Sequence, residues 1–258
     1  MSFEWYTHLC EYYNVTPEEA LELGSRSAGR KPNLPASKTI HRVFDMTLED
    51  IWALSERKTT EEVFQFYKDQ GSWSTFRQCV RHKDMEHLHL STLKILIENE
   101  IISDGAHLCE YGAGVAPFMT TFLKYLNPDS NPKLTITIVD VDCEHFNFEI
   151  VEVDTLPTFN NQKLDALLCF EVLEHVPSPI AVINNIKDAM RPGGGYLENF
   201  IKHNDEDEDE DGPDLLTARE ERSGYYEIVG KNFNLIDPSL QESEKNPNCT
   251  RFWQKKFL

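Results

Sequence analysis

Residues 107–119 read His-Leu-Cys-Glu-Tyr-Gly-Ala-Gly-Val-Ala-Pro-Phe-Met, and this stretch decides the fold. A short apolar run ends in Glu110, glycines follow at Gly112 and Gly114, and a helical pattern continues to about Leu126. The pattern predicts a β-strand, a tight turn and the N-terminus of a helix. Glycines permit a sharp bend and close approach by a ligand, and the helix start offers unpaired N–H groups. This arrangement is typical of a nucleotide-type cofactor site at the first βα turn of an α/β sheet.

Strand and helix patterns alternate from residue 105 onward. Apolar and β-branched runs predict strands at about 107–111, 133–140, 164–170, 196–201, 233–236 and 250–256. Amphipathic runs predict helices over about 117–126, 180–190 and 218–231. The glycine-rich residues 191–195 are predicted as the turn that closes the second of these helices. Alternating βα units imply a mainly parallel sheet with helices on both faces.

The first hundred residues show helix and loop patterns and no convincing strand. The last of these patterns predicts a helix over 87–100, with an apolar side formed by Leu88, Leu93, Leu96 and Ile97. We interpret residues 1–104 as a helical cap and substrate region. Residues 105–258 then form the cofactor-binding domain, which carries an acidic insert at 202–217.

The composition and net charge of the chain disfavour some classes of binding partner. The 258-residue chain is 40% hydrophobic and carries a net charge of −19, which disfavours nucleic acid and anionic membranes as partners. No apolar run approaches the ~18 residues of a membrane helix, and no signal-peptide pattern opens the sequence, so a cytoplasmic protein is predicted.

Residues 205–211 are all acidic, as expected of a solvated loop or, alternatively, of a lid or a site that attracts a cation. The six cysteines form no C-x-x-C pair, which favours reduced core thiols over disulfides or a metal site.

Acidic residues follow several predicted strands. Glu110 ends the first strand, Asp140 ends the second, and Asp154 follows a third apolar alternation. The carboxyl ends of parallel strands line one crevice, so these acids and the Phe170-Glu171 pair are predicted to share one site. An acid after the second strand can accept hydrogen bonds from ribose hydroxyls, and one after the third can accept from an exocyclic amine.

Five segments together resemble the successive motifs of class I S-adenosylmethionine-dependent methyltransferases. They are EYGAGVA (110–116), TIVD (137–140), VDTLP (153–157), LCFEVLEHVP (168–177) and MRPGGG (190–195). They occur in that family's order over roughly residues 105–201. The resemblance implies a Rossmann-like α/β fold with a seven-stranded, mostly parallel sheet that ends in an antiparallel C-terminal hairpin. It also implies S-adenosylmethionine as the cofactor and methyl transfer as the reaction.

The resemblance also implies individual cofactor contacts along the strand ends. They are Glu110 near the amino group, the backbone of Tyr111, Gly112, Ala113 and Gly114 along the methionyl part, Asp140 and Val141 at the ribose, Asp154, Thr155 and Leu156 at the adenine edge, and Phe170 and Glu171 behind the sulfonium. Upstream, Arg77 is a candidate partner for the cofactor carboxylate or an anionic acceptor. Trp73 is a candidate for closing the pocket, and the alternative is that it packs the helical cap onto the sheet.

A general base is needed only if the acceptor is a hydroxyl or a protonated amine. The candidates near the strand ends are Glu171, His175, Glu198 and His203. For His175 a packing or capping role is the alternative, and for His203 an exposed loop position.

The segment between Asp140 and Asp154 is short for a parallel crossover, which normally takes a dozen or more residues. We expect a crossover reduced to a turn, because residues 146–153 alternate like a strand. The alternative is that residues 144–150 form the crossover helix and the third strand is vestigial. A methyltransferase-like binding protein without catalysis is one alternative that this shortening favours. An NAD-dependent oxidoreductase is another, although Pro117 stands where its fingerprint needs glycine. The predicted partner is a small-molecule acceptor, a sugar or secondary metabolite, and the predicted assembly is a monomer or homodimer.

Overall fold

A mixed β-sheet forms the centre of the protein. The computed structural model describes residues 59, 61–63, 87–113, 116–125, 134–140, 150–152, 163–202, 214–236 and 250–257. Seven strands hydrogen-bond in the order β3-β2-β1-β4-β5-β7-β6. They are β1 (His107–Tyr111), β2 (Thr135–Asp140), β3 (Ile150–Glu152), β4 (Leu164–Phe170), β5 (Met190–Asn199), β6 (Phe233–Leu235) and β7 (Arg251–Lys255).

Four helices accompany these strands in the described part of the chain. They are α1 (87–98), α2 (Pro117–Tyr125), α3 (Pro179–Ala189) and α4 (Leu216–Asn232), and a 3₁₀ turn, Leu173–His175, follows β4. Ser178 caps α3: its side chain accepts a hydrogen bond from the Ala181 N–H, and Pro179 occupies the first helical position.

Two hydrophobic cores lie on the two faces of the sheet. On one face, residues of α1 and α2, including Leu96 and Met119, pack against Leu108 of β1 and Leu168 of β4. On the other face, residues of α3 and α4 pack against alternate positions of the same strands, such as Cys109. Because both faces are covered, the central strands are apolar almost throughout, as β4 shows with Leu-Asp-Ala-Leu-Leu-Cys-Phe.

The mixed α/β architecture confirms the prediction of a mostly parallel sheet with an antiparallel C-terminal hairpin. β1 pairs in parallel with β2 and β4, and β5 pairs in parallel with β4. β7 pairs antiparallel with both β5 and β6. β3 pairs in parallel with β2 and is only three residues long, so the connection from Asp140 to Ile150 is as short as the sequence indicated. Of the predicted N-terminal cap, residues 1–58 and 64–86 lie outside the described residues.

The glycine-rich segment 191–195 was predicted as a turn after α3, and this prediction is wrong. α3 ends at Ala189, and β5 begins at once at Met190. Leu164 pairs with Met190 and Ala166 with Gly195, so two steps along β4 correspond to five along β5. The extra residues of β5 form a bulge that contains the glycines. Glycine suits position 194, because a Cβ there would lie 3.0–3.1 Å from three carbonyl oxygens.

The apolar side predicted for α1 also needs correction. Leu93 and Leu96 are buried, but Leu88 and Ile97 are 43% and 49% exposed. The buried stripe instead includes His89 and Thr92, which are 3% and 5% exposed. These positions follow the i, i+3, i+4, i+7 spacing of one helix face, so the helix buries a polar pair that hydrophobicity alone does not reveal.

Glu100 offers a test of how α1 ends. The Ile101 N–H donates to Leu96 O at 2.9 Å, and the Glu100 N–H donates to Ile97 O at 3.0 Å. These two bonds form a Schellman motif at the C-terminus of the helix. Glu100 occupies the position that glycine usually takes in this motif, and its φ is +57°. Replacing Glu100 with glycine removes the left-handed strain, so Glu100→Gly should raise the free energy of unfolding by about 0.5–1 kcal/mol. Glu98→Gly, the matched control inside the helix, should lower it by about 1 kcal/mol. Chemical denaturation measures both, and a destabilised Glu100→Gly would contradict this geometry.

Candidate functional site

Four residues stand side by side where the central parallel strands end. Tyr111 is level with Val139 of β2 and with Cys169 of β4, so the next residues, Gly112, Asp140 and Phe170, form a row. Phe170 is in turn level with Asn199 of β5. The structure therefore brings together Gly112, Asp140 and Phe170 of the strand-end residues that the sequence placed at one site, and it adds Asn199.

The turn after β1 is tied to the neighbouring strand. The N–H groups of Gly112 and Ala113 both donate to Val139 O, at 2.7 and 3.2 Å. Gly112 has φ +64°, a conformation that favours glycine. A Cβ at Gly112 would overlap both γ-methyl groups of Val172. Both the backbone angle and the packing against Val172 therefore require glycine here, and the predicted approach of a ligand to this turn stays a prediction.

Glu110 joins β1 to the start of α2. Its two carboxylate oxygens accept hydrogen bonds from the N–H groups of Phe118 at 3.3 Å and Met119 at 3.0 Å. The residue is 3% exposed. Burial raises the pKa of the Glu110 carboxyl to about 8 and nearby Asp140 adds to the rise, while the two N–H groups oppose it. Glu110 is thus a helix cap, and its predicted contact with the cofactor's amino group stays a prediction.

A column of three rings links α1 to the end of β4. Phe118 stacks on Phe170 with centroids 4.4 Å apart and planes 14° from parallel. The His89 ring also contacts Phe118, with the centroids 4.4 Å apart and the planes tilted by 59°. His89 Nδ1 is 3.3 Å from Thr121 Oγ1. One turn of α2 thereby fixes the aromatic residue that ends β4.

Glu171 follows Phe170 in a strained conformation. Its φ is +55°, a backbone angle that residues other than glycine adopt rarely. Its backbone N–H donates to Asn199 Oδ1 at 2.6 Å, and its side chain is exposed. This hydrogen bond across β4 and β5 holds the left-handed turn that directs the chain away from the sheet edge.

Glu174 and His175 lie in the 3₁₀ turn behind this edge. Glu174 is fully buried, and neither carboxylate oxygen has a hydrogen-bond partner among the described residues. Burial raises the pKa of Glu174 to about 8, and the charges of Asp214 and Glu171 act in the same direction. His175 Nε2 is 3.8 Å from Glu174 Oε1, and its side chain is 26% exposed.

Arg222 of α4 holds both ends of the acidic insert. Its guanidinium donates to Phe200 O at 2.9 Å and to Ile201 O, and it lies 3.6 Å from Asp214 Oδ2. The Leu215 N–H donates to Glu174 O at 2.9 Å. The insert therefore leaves and rejoins the fold beside the end of β5. Its predicted range of 202–217 is too long, because α4 already begins at Leu216.

Glu198, a further candidate base, is held inside the protein. It is fully buried, and it accepts hydrogen bonds from Trp253 Nε1 at 3.0 Å and Phe200 N at 2.8 Å. Arg251 lies 3.8 Å away. Burial raises the pKa of Glu198, and Arg251 opposes the rise. These contacts join β5 to β7, which is a structural role.

The remaining predictions divide between buried positions and undescribed ones. Tyr111 is 6% exposed in the core under α3 and α4, so only its backbone lies at the edge. Cys109 and Cys169 are buried free thiols, as predicted for these two. The other predicted site residues lie outside the described part of the chain: Trp73, Arg77, Gly114, Val141, Asp154, Thr155, Leu156 and His203.

Two further properties concern the described residues only. They contain no cluster of three or more His, Cys, Asp or Glu arranged to hold a metal ion. None of their helices combines the length and apolarity that crossing a bilayer requires.

A comparison with protein families identifies the class. The family described as a methyltransferase domain matches residues 81–224, more than half of the chain. The matched range contains β1 to β5 and the whole strand-end row. The chain belongs to this methyltransferase-domain family.

Individual relatives are more distant. The chain is 28% identical over 162 residues to a ubiquinone biosynthesis O-methyltransferase of Coxiella burnetii, a match that covers 58% of this chain and 66% of the relative. A Paraburkholderia phytofirmans protein of the same description is 31% identical over 58 residues, which cover 22% of this chain and 25% of that one. Among solved structures, the N-methyltransferase NodS of Bradyrhizobium japonicum, in complex with S-adenosylhomocysteine, is similar with a TM-score of 0.41 at 13% identity. That match covers 75% of this chain and 98% of NodS.

The buried Glu174 predicts a pH dependence of stability. Its pKa is raised from 4.5 to about 8, so the folded state holds its proton more tightly than the unfolded state. The stability that this proton contributes is complete below pH 4.5 and is lost as the pH rises through about 8. Glu174→Gln keeps the shape without a titrating group. It should match the wild type at pH 5 and exceed its free energy of unfolding by at least about 1 kcal/mol at pH 8.5.

Urea denaturation across this pH range measures the effect. Glu227→Gln, which makes the same charge change at an exposed position of α4, is the control. A constant difference between Glu174→Gln and the wild type at all pH values would contradict the raised pKa.

Proposed function

We propose that this protein transfers the methyl group of S-adenosylmethionine to a small-molecule acceptor, such as a sugar or secondary metabolite. The family supports methyl transfer, and the strand-end row is the observation that carries the choice of cofactor. Gly112, Asp140 and Phe170 end three adjacent strands at one level. A ribose requires a carboxylate, a methionyl chain requires a bare backbone turn, and a sulfonium requires an aromatic ring.

The described residues fit such a ligand in two respects. Asp140 is only partly buried, so its carboxylate can accept hydrogen bonds from ribose hydroxyls at the end of β2. Glu110 and Asp140 lie close enough for each charge to be felt by the other, since Asp140 raises the pKa of Glu110. A positively charged ligand at this edge would relieve that repulsion.

The cofactor, when bound, supplies a methyl group already activated by a positively charged sulfur. The methyl carbon would bond to a lone pair of the acceptor as the carbon–sulfur bond breaks with its electrons going to sulfur, and an acceptor that carries a proton at that atom would pass it to a base or to water. The protein's part is to align the two reactants and to exclude water. Gly112, Asp140 and Phe170 serve that alignment on the cofactor side.

A base is required only for acceptors that lose their proton during transfer. Glu171 and His175 are the described candidates. Glu171 is the residue after Phe170 and is exposed, and His175 lies in the 3₁₀ turn that follows and is 26% exposed. His203, on the acceptor side by sequence, remains a third candidate.

Charge supports a small acceptor over a nucleic acid. The described residues near this edge include the acids Asp140 and Glu171, and the sequence of the acidic insert contains seven more at 205–211. Phosphate backbones are bound by clusters of Lys and Arg, and a net charge of −19 opposes them.

Isothermal titration calorimetry tests the proposal. The wild-type protein should bind S-adenosylmethionine and not NAD. Asp140→Ala should weaken binding by about 1–3 kcal/mol, because the ribose hydroxyls lose their acceptor. Asp188→Ala, the control, removes a 75% exposed carboxylate on α3 and should leave the affinity unchanged. Binding of NAD without S-adenosylmethionine would contradict the proposed function.

A further inference from the structure

Phe118 has no part in the methyltransferase site as derived so far. It is the second residue of α2, and its N–H donates to Glu110. Its ring contacts two other rings, His89 of α1 and Phe170 of β4. Phe118 thus contacts three elements that meet at the proposed cofactor site.

Two further contacts hold Phe118. The His89 ring, with its centroid 4.4 Å from that of Phe118, is 3% exposed and is itself anchored by Thr121 one turn further along α2. The Phe118 backbone is fixed by the helix cap at Glu110. A rotation of the Phe118 ring would therefore disturb its contact with a buried histidine as well as the stack on Phe170.

Among the described residues, Phe118 is the only aromatic ring in contact with Phe170. It stacks nearly parallel at 4.4 Å, and the Phe170 side chain remains partly exposed. The residue after it, Glu171, leaves the sheet at once in a left-handed turn. The plane of the Phe170 ring at the site is consequently set by Phe118.

We infer that Phe118 is a positioning residue that holds the face of Phe170 toward the sulfonium of the cofactor. This inference rests on the proposed function. An aromatic face attracts a cation within about 6 Å. S-adenosylmethionine carries the charged sulfonium, whereas S-adenosylhomocysteine has a neutral thioether. A correctly held Phe170 ring therefore favours the first ligand over the second.

The test is the ratio of the two dissociation constants, that for S-adenosylhomocysteine divided by that for S-adenosylmethionine, measured by calorimetry. Phe118→Leu should lower this ratio about threefold to tenfold, because Phe170 loses its orientation. Phe170→Leu should lower it equally. The double variant should show no further loss, since Phe118 acts through Phe170. Phe118→Tyr keeps the stacked ring and should retain the wild-type ratio.

Phe122→Leu is the matched control. It makes the same substitution one turn further along α2, at a fully buried position outside the ring column. It should reduce thermal stability and leave the ratio unchanged, because loss of packing alone weakens both ligands alike. If Phe118→Leu does not fold, Phe118→Met provides the same removal of the aromatic face with an unbranched side chain.

The outcomes separate the inference from the proposed function. A ratio that stays at the wild-type value in Phe118→Leu or Phe118→Met would overturn the positioning role while the proposed function stands. An equal fall in Phe122→Leu would also overturn it. A wild-type protein that binds neither ligand would overturn the proposed function and this inference together.

Discussion

The site depends on the two hydrogen bonds by which the Glu110 carboxylate caps α2. The strand that carries Glu110 lies in the middle of the sheet, so its side chain is buried whatever ligand is present. A buried carboxylate is costly unless its oxygens are paired, and the first N–H groups of a helix are donors that need a partner. Pairing the two fixes how α2 leaves β1. The turn between them, the ring of Phe118 and the position of Phe170 all follow from that geometry.

The two ends of the sheet use polar residues differently. At the amino end of the strands, Asp165 accepts from His107 N at 2.6 Å and pairs with Arg191, so its charge is compensated within the fold. At the carboxyl end, the described acids are Glu110, Asp140, Glu171 and Glu174, and burial raises the pKa values of Glu110 and Glu174 to about 8. The described residues at this end also include the strained backbone at Glu171 and the partly exposed ring of Phe170. These features support the proposal that binding and chemistry belong to the carboxyl end.

Most of the architecture could be predicted because it rests on local signals. Apolar runs of strand length and acids at strand ends are visible in the sequence, and parallel pairing then aligns those ends. What could not be predicted depends on contacts between distant residues. Glycine suits position 194 in the bulge because nearby carbonyl oxygens leave little room for a side chain, and part of the need for glycine at 112 comes from Val172. His89 and Phe118 carry no motif, because a buried polar residue on a helix resembles a surface one until its partner is known.

The central claim is that the turn after β1 and the neighbouring ends of β2 and β4 form one site for S-adenosylmethionine. Hydrogen exchange with mass spectrometry, with and without saturating S-adenosylhomocysteine, tests it most directly. Peptides that cover residues 110–118, 137–140 and 168–172 should gain protection, and peptides at the amino end of the strands, 163–165 and 190–194, should not change. Protection confined to the amino end, or absent from residues 110–118, would contradict the account.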